Sequence, residues 1–311
     1  NAIRTLESLT PSNFQNLGIN AQRYSVLTND NGGIIDDLMV TNTGEYFFIV
    51  INAANKENVI KHIQTRVADT CKLEEMHDNA LLALQGPKAA EVMRRFCPAA
   101  CELIFMTGAS FKLNGINCFI NRCGYTGEDG FEISLPSESV EDIASALLAE
   151  EEVELIGLGA RDSLRLEAGY CLYGHDIDQD TSPIEANIGW VVSKPRLEQV
   201  NDDYPGIETI QQHIQDGTKR LRVGILSEGK APIREGVTVL NLDEQAVGKT
   251  CSGGFSPSIQ KPIAMAYIDK AYADIDTKLI VKIRDRIQHI RVVKLPFVQY
   301  QYHKHKGDDD K

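Results

Sequence analysis

The chain has 311 residues, with 32 Lys and Arg against 44 Asp and Glu, and a formal net charge of −12. At roughly 150 residues per domain the length predicts about two domains, with room for a third, and a composition 42% hydrophobic and 24% charged excludes disorder as the main state. The acidic balance disfavours binding to nucleic-acid backbones, and the longest apolar run, Phe47 to Ile51, falls far short of the roughly 18 residues a membrane helix needs.

The chain opens on Asn1 in place of Met, with no basic and apolar signal segment and no Arg-rich transit segment. Asn1 is read either as the start left by a removed leader or as a start inside a longer protein. Between Tyr24 and Val40, the run Asn29-Asp30-Asn31-Gly32-Gly33 predicts a hairpin whose glycines supply the positive φ of the turn. Glu45 to Asn52 is a β-branched and aromatic strand. Val59, Ile60, Ile63 and Val67 recur at helical spacing over 58–68. Leu81 to Leu84 reads as a short buried strand, and Gly86-Pro87 starts a helix, since Pro fits the first helical position. Ile116, Cys118 and Ile120 alternate, as do Phe131, Ile133 and Leu135, giving two more strands. Pro136-Ser137 opens a helix with Val140, Ile143, Ala144, Leu147 and Leu148 on one face, and 155–173 reads as another.

The first 190 residues are therefore an α+β mixture. Residues 191–218 are polar and broken by Pro195, Pro205 and Gly206, as a linker would be. From Arg220 to Val298 strands dominate: 221–226, 237–242, 245–250, 263–268, 278–283 and 287–295, with turns at short intervals, the pattern of a small antiparallel barrel or sandwich. Gly307 to Lys311 reads as a solvated tail.

The seven cysteines, Cys71, Cys97, Cys101, Cys118, Cys123, Cys171 and Cys251, are odd in number and irregularly spaced. They match neither a disulfide framework nor a zinc knuckle. Buried reduced thiols in cytosol or mitochondrial matrix are the expectation. Gly157-Leu-Gly159 lacks the third glycine of a dinucleotide fingerprint, and no phosphate loop, G-x-S-x-G or H-E-x-x-H occurs. His175 beside Asp176 has no nucleophile motif to serve and reads as a surface histidine.

Four polar clusters stand out. In Gly32-Gly33-Ile-Ile-Asp36-Asp37-Leu-Met-Val40, strand alternation sends Asp36 and Asp37 to opposite faces. One can be solvated, and the inward one then needs hydrogen bonds or a ligand. Arg122-Cys-Gly-Tyr125-Thr-Gly-Glu-Asp-Gly-Phe-Glu132 has three glycines at three-residue spacing, which let backbone approach something closely; a plain hairpin is the alternative. Gly159-Ala-Arg161-Asp-Ser-Leu-Arg165-Leu-Glu167-Ala-Gly-Tyr170 is either a mixed-charge helix or one that holds Glu167 inward toward a heterocycle bearing N–H groups. Lys294-Leu-Pro-Phe-Val-Gln-Tyr-Gln-Tyr302 supplies aromatics for a core, an interface or a lid.

These clusters, with Asp78 to Pro87, Leu172 to Asp178 and Pro296-Phe-Val298, occur in the same order in the glycine cleavage system T-protein family, which the chain resembles from about Arg4 to about Tyr302. The resemblance implies two ferredoxin-like α+β domains and a C-terminal antiparallel β-barrel around a central folate site. The divisions are 1–70 (N-terminally incomplete), 71–190, a linker 191–218, a barrel 219–302 and a tail 303–311. It implies an aminomethyltransferase that moves the methylene carbon from the lipoyl arm of the H-protein to tetrahydrofolate, releasing ammonia and forming 5,10-methylenetetrahydrofolate. Asp37 then lies against the reacting nitrogens, and Glu167 accepts hydrogen bonds from the pterin. Arg196 takes the tail carboxylates, and Tyr302, Asn52, Val50 and Tyr125 line the pocket. Tetrahydrofolate is the co-substrate, with no metal and no NAD; the partner is lipoylated H-protein, with no nucleic acid and no membrane. The compartment is the mitochondrial matrix in a eukaryote, the cytoplasm otherwise. An acidic H-protein needs a basic patch, for which the candidates are Lys219, Arg220 and Arg222, or Lys294 with Lys304 and Lys306. The signature Lys-Gly-Cys-Tyr-x-Gly-Gln-Glu of related iron–sulfur assembly proteins is absent. Two rivals remain: a folate-binding protein without transfer activity, and the folate-accepting module of a demethylating flavoprotein.

Overall fold

A computed structural model describes residues 1–67, 71–197, 203–284 and 286–304. After the short helix α1 (Ala2–Glu7), strands β1 (Gln22–Thr28), β2 (Ile34–Asn42) and β3 (Phe47–Ile51) form an antiparallel sheet in that order, and helix α2 (Lys56–Val67) covers it. The turn of the β1–β2 hairpin places Gly32 at φ +81°, a conformation glycine adopts without strain. Alternation on β2 sends Leu38 and Val40 into a core with Val59, Ile63 and Val67 of α2.

The second sheet is made from β4 (Asn79–Gln85), helix α3 (Ala89–Phe96), β5 (Thr107–Leu113), β6 (Ile116–Arg122), β7 (Gly130–Pro136) and helix α4 (Val140–Leu148). Its strand order is β4-β7-β6-β5. Ile120, Phe131, Ile133 and Leu135 pack under Val92, Met93, Ile143 and Leu147. The pattern 107–113, Thr-Gly-Ala-Ser-Phe-Lys-Leu, is too mixed to announce strand β5 in the sequence.

Helix α5 (Leu158–Glu167) is shorter than the expected 155–173. Gly169 turns the chain at φ +71°, and the Glu167 carbonyl accepts from the Phe297 and Val298 amides instead of continuing a helix. The expected linker is ordered on both sides of residues 198–202, which lie outside the described residues. It carries helices α6 (Lys194–Leu197) and α7 (Ile207–Asp216). Val191, Val192, Tyr204 and Ile210 share a core with Val26 and Ile34, so scattered apolar anchors decide this region despite its polar average.

Strands β8 (Arg220–Ser227), β9 (Thr238–Leu240), β10 (Ala246–Ser256), β11 (Lys261–Asp269), β12 (Lys278–Ile283) and β13 (Arg286–Val293) close into a barrel of order β10-β11-β8-β13-β12-β9. Small Ala264 and Ala266 sit among Val223, Ile225, Leu279, Val281 and Ile290 in its interior. The α+β class with a C-terminal antiparallel barrel is therefore the architecture observed. The expected division at 70/71 and most of the 303–311 tail fall on residues outside those described.

Candidate functional site

Strand register assembles the site. Gln22 pairs with Thr41, Tyr24 with Met39 and Val26 with Asp37, while Met39 pairs with Val50 and Thr41 with Phe48. These residues share the face of the first sheet that looks away from its core. On the second sheet the apolar set Ile120, Phe131 and Ile133 faces inward, which leaves Phe119, Asn121 and Glu132 on the other face. The two outer faces meet where the Phe48 and Phe119 rings lie 4.7 Å apart and the Thr41 hydroxyl donates to Asn121 Oδ1 at 2.9 Å. Beyond that contact Tyr24, Asp37, Met39 and Val50 on one side, and Tyr125 and Glu132 on the other, stay half-exposed although they point toward the interior. They line a cleft, closed laterally by Arg161 of α5 and by Tyr170.

Asp36 and Asp37 do point to opposite faces, but neither is left in open water, contrary to expectation. Asp36 is 0% exposed on the core side; its Oδ1 accepts from Asn52 Nδ2 at 2.8 Å and the Asp37 amide at 2.9 Å, and Oδ2 accepts from Asn55 Nδ2 at 3.1 Å. The same Asn52 amide donates to Asp37 Oδ1 at 2.6 Å. One Asn side chain thus pins both carboxylates, with no cation paired to either among the described residues. Burial, then the charge of Asp36, raises the Asp37 pKa from 3.8 to about 6, against hydrogen bonds from Tyr24 and Asn52 that lower it. Glu132 is likewise raised by burial, opposed by a hydrogen bond from the Cys123 thiol and by the charge of Arg161.

The cleft rim is aromatic. The Tyr125 hydroxyl donates to the Cys171 carbonyl, and its ring carries the Arg161 guanidinium at 4.7 Å. Tyr125 stacks on Tyr170 at 5.7 Å, Tyr170 on Tyr300 at 5.7 Å, Tyr300 on Tyr302 at 5.1 Å and Tyr302 on Phe105 at 3.7 Å. The Tyr170 and Tyr302 hydroxyls hydrogen-bond to each other. The closing segment is strapped down by Gln301 N donating to Gly127 O at 2.9 Å and Phe105 N donating to His303 O at 2.7 Å. Two of the three glycines at 124, 127 and 130 serve packing. A Cβ on Gly124 or Gly130 would strike the Gln85 side chain, whose amide donates to the Cys123 carbonyl at 2.9 Å.

Two expected site residues lie elsewhere. Glu167, 3% exposed, accepts from Ser258 N at 3.0 Å, Ser258 Oγ at 2.7 Å and Ser256 Oγ, so its carboxylate ties α5 to the barrel. Arg196, 3% exposed, donates from Nη1 to the carbonyls of Thr10 and Ser12 and lies over the Tyr204 ring at 4.8 Å. Glu132 and exposed Arg161 occupy the cleft in their stead; both sit inside the singled-out motifs, and Glu132 is the polar residue between two inward-facing apolar ones. Tyr24, against Asp37, was also missed. Asp37 and Asn52 are joined, and Val50, Tyr125 and Tyr302 border the same cleft.

Among the basic runs, Arg222 is buried, bonding to the Ala186 and Gly169 carbonyls, and Arg220 pairs with Glu185. Lys306 lies outside the described residues. Among the described residues no cluster of three or more His, Cys, Asp or Glu could hold a metal, and no helix is long and apolar enough to cross a membrane.

Residues 1–196 match the family model described as the GCVT N-terminal domain, and residues 219–299 match the glycine cleavage T-protein C-terminal barrel domain. The mitochondrial aminomethyltransferase of Dictyostelium discoideum is 39% identical over 97% of this chain and 79% of its own length. That of Homo sapiens is 41% identical over 97% of this chain and 76% of its own. The crystal structure of glycine cleavage system aminomethyltransferase T from Bartonella henselae superposes with a TM-score of 0.89 at 38% identity, covering 97% of this chain and 82% of that one.

Proposed function

The chain belongs to the glycine cleavage T-protein family and is an aminomethyltransferase, a tetrahydrofolate-dependent one-carbon transferase; from that premise we propose that the cleft between the two sheets is where tetrahydrofolate meets the aminomethyl-lipoyl arm of the H-protein. The observation that carries this reading is the geometry of two carboxyls, Asp37 and Glu132, both raised by burial, that face one cleft from two sheets with no salt-bridge partner among the described residues. A pterin offers N–H donors, which need acceptors, and Glu132 supplies two carboxylate oxygens. The exposed Arg161 guanidinium at the rim suits the tail carboxylates.

In the reaction the sulfur–carbon and carbon–nitrogen bonds of the aminomethyl group break. N5 and N10 of the folate each gain a bond to that carbon, and their two protons leave with ammonia and the lipoyl thiol. Asp37 orients the reacting amine, accepts its proton and stabilises the positive charge that develops at the carbon. With a pKa of about 6 it is ionised at neutral pH yet basic enough to hold a proton transiently. Tyr24 and Asn52 fix its position. In this reading 1–70 and 71–190 form the cleft walls and 219–302 the buttress behind α5 and the closing strap.

For the carrier protein, four cations without a salt-bridge partner among the described residues gather at one groove of the barrel. Lys230, Arg234, Arg284 and Arg286 line a groove of about 1170 Å³ together with Glu228, Ile283 and Ile287. This groove, rather than Arg220 or Arg222, is the surface suited to an acidic H-protein. The mitochondrial names of the eukaryotic relatives favour the matrix as the compartment. Ammonia release from aminomethyl-loaded H-protein that requires added tetrahydrofolate supports the whole reading. Tight folate binding with no turnover supports the non-catalytic folate binder instead.

A further inference from the structure

The closed end of the cleft holds polar atoms that the fold does not use. Gln22 is 5% exposed, and among the described residues its carboxamide meets only the Cys123 thiol, a weak partner, with no nitrogen or oxygen hydrogen-bonded to either of its polar atoms. Asn121, fully buried, spends Oδ1 on the Thr41 hydroxyl and leaves Nδ2 without a hydrogen-bond partner among them. These atoms are neighbours: Gln22 is the register partner of Thr41, Asn121 is the register partner of Glu132, and the Cys123 thiol interacts with both the Gln22 amide and the Glu132 carboxylate. A buried amide whose one contact is a thiol is poorly satisfied and costs stability, so its presence needs an explanation. Leu or Met would fill the same volume on β1 at no such cost.

We propose that the Gln22 carboxamide, at the floor of the cleft beside Glu132, is a specificity-determining group that hydrogen-bonds the heterocyclic end of the folate. This rests on the reading of the cleft as the folate site. A carboxamide presents one donor and one acceptor in a plane, the complement of an oxo/N–H edge on a pterin, while Glu132 takes the remaining N–H donors. Its contribution falls on the ring alone, unlike that of Arg161, which faces the tail.

The test compares wild type, Gln22→Leu and Gln22→Met by calorimetric titration with tetrahydrofolate and with a tetrahydropterin lacking the benzoylglutamate tail, and by thermal unfolding with and without ligand. Two neutral hydrogen bonds correspond to about a tenfold loss of affinity. Both variants bind both ligands about tenfold more weakly, by the same factor. Ligand-free, they unfold at or above the wild-type temperature. A purely structural Gln22 gives the opposite split: a lower unfolding temperature without ligand and little change in affinity, and that result overturns the proposal. Wild type that binds neither ligand overturns the folate reading of the cleft, and this inference with it. Wild type that binds both while the variants bind equally well overturns the role of Gln22 alone.

Discussion

Replacing Asp37 by Asn tests whether the cleft carboxylate is held at a cost to the fold. Burial and Asp36 lift its pKa from 3.8 to about 6. Each unit is worth about 1.4 kcal/mol, so the ionised group destabilises the folded chain by roughly 1–3 kcal/mol, the lower end allowing for screening by water at a half-buried site. The sign follows from linkage: below about pH 3.8 the carboxyl is protonated in both folded and unfolded chains and no penalty exists. As pH rises to about 6 the unfolded chain ionises first and folded stability falls, and above about 6 the penalty is constant. Asn cannot ionise and keeps an oxygen for Asn52 Nδ2. The Asp37→Asn chain therefore unfolds at a higher temperature than wild type at pH 8, by roughly 2–5 °C for a chain of this size. The difference shrinks steadily toward pH 4. Calorimetric or circular-dichroism melts from pH 4 to 8 check this. A variant no more stable than wild type at pH 8, or a gap that does not change with pH, refutes the reasoning.

Glu132→Gln keeps the shape but converts one acceptor oxygen into a donor facing pterin N–H groups, and raises the Kd for tetrahydrofolate at least about tenfold in a fluorescence titration. Arg196→Met leaves the carbonyls of Thr10 and Ser12 without their donor; it costs about 2–4 kcal/mol in urea denaturation. The folate Kd of the folded fraction stays unchanged, as it would not if Arg196 held the tail. Reversing two groove cations together, Lys230→Glu with Arg234→Glu, raises KM for loaded H-protein several-fold at low salt, with a smaller effect near 0.5 M salt and no change in folate Kd.

Local pattern carried the architecture a long way. The hairpin over 24–40, the helix expected from residue 58, seen here as far as Val67, and the strand set of the barrel are all spaced as their burial requires, because one buried face imposes a period on a short segment. Alternation separates Asp37 from Asp36 but does not say which of them faces the cleft, and that choice rests on the family resemblance. The choice of cleft residues was less legible. Glu167 is removed from the cleft by Ser258, 91 positions away, and Arg196 by Thr10, 186 positions away. No local periodicity reports such partners. Glu132 carried a readable signal, a carboxylate between Phe131 and Ile133 on a strand whose other face must meet a second wall. Arg161 and Arg165 look equivalent on a helix. Only packing distinguishes the exposed one, over Tyr125, from the buried one held by Asp176 at 2.6 Å and Ser252 at 2.9 Å.

The most direct test of Asp37 as the group that handles the proton is the single-turnover rate of ammonia release from aminomethyl-loaded H-protein with saturating tetrahydrofolate, followed from pH 5 to 8. Wild type should show a rate that climbs through a limb near the Asp37 pKa of about 6. Asp37→Asn should lose about 10²–10⁴-fold and the limb with it, while still binding folate. A variant that turns over at the wild-type rate with the same limb contradicts the account.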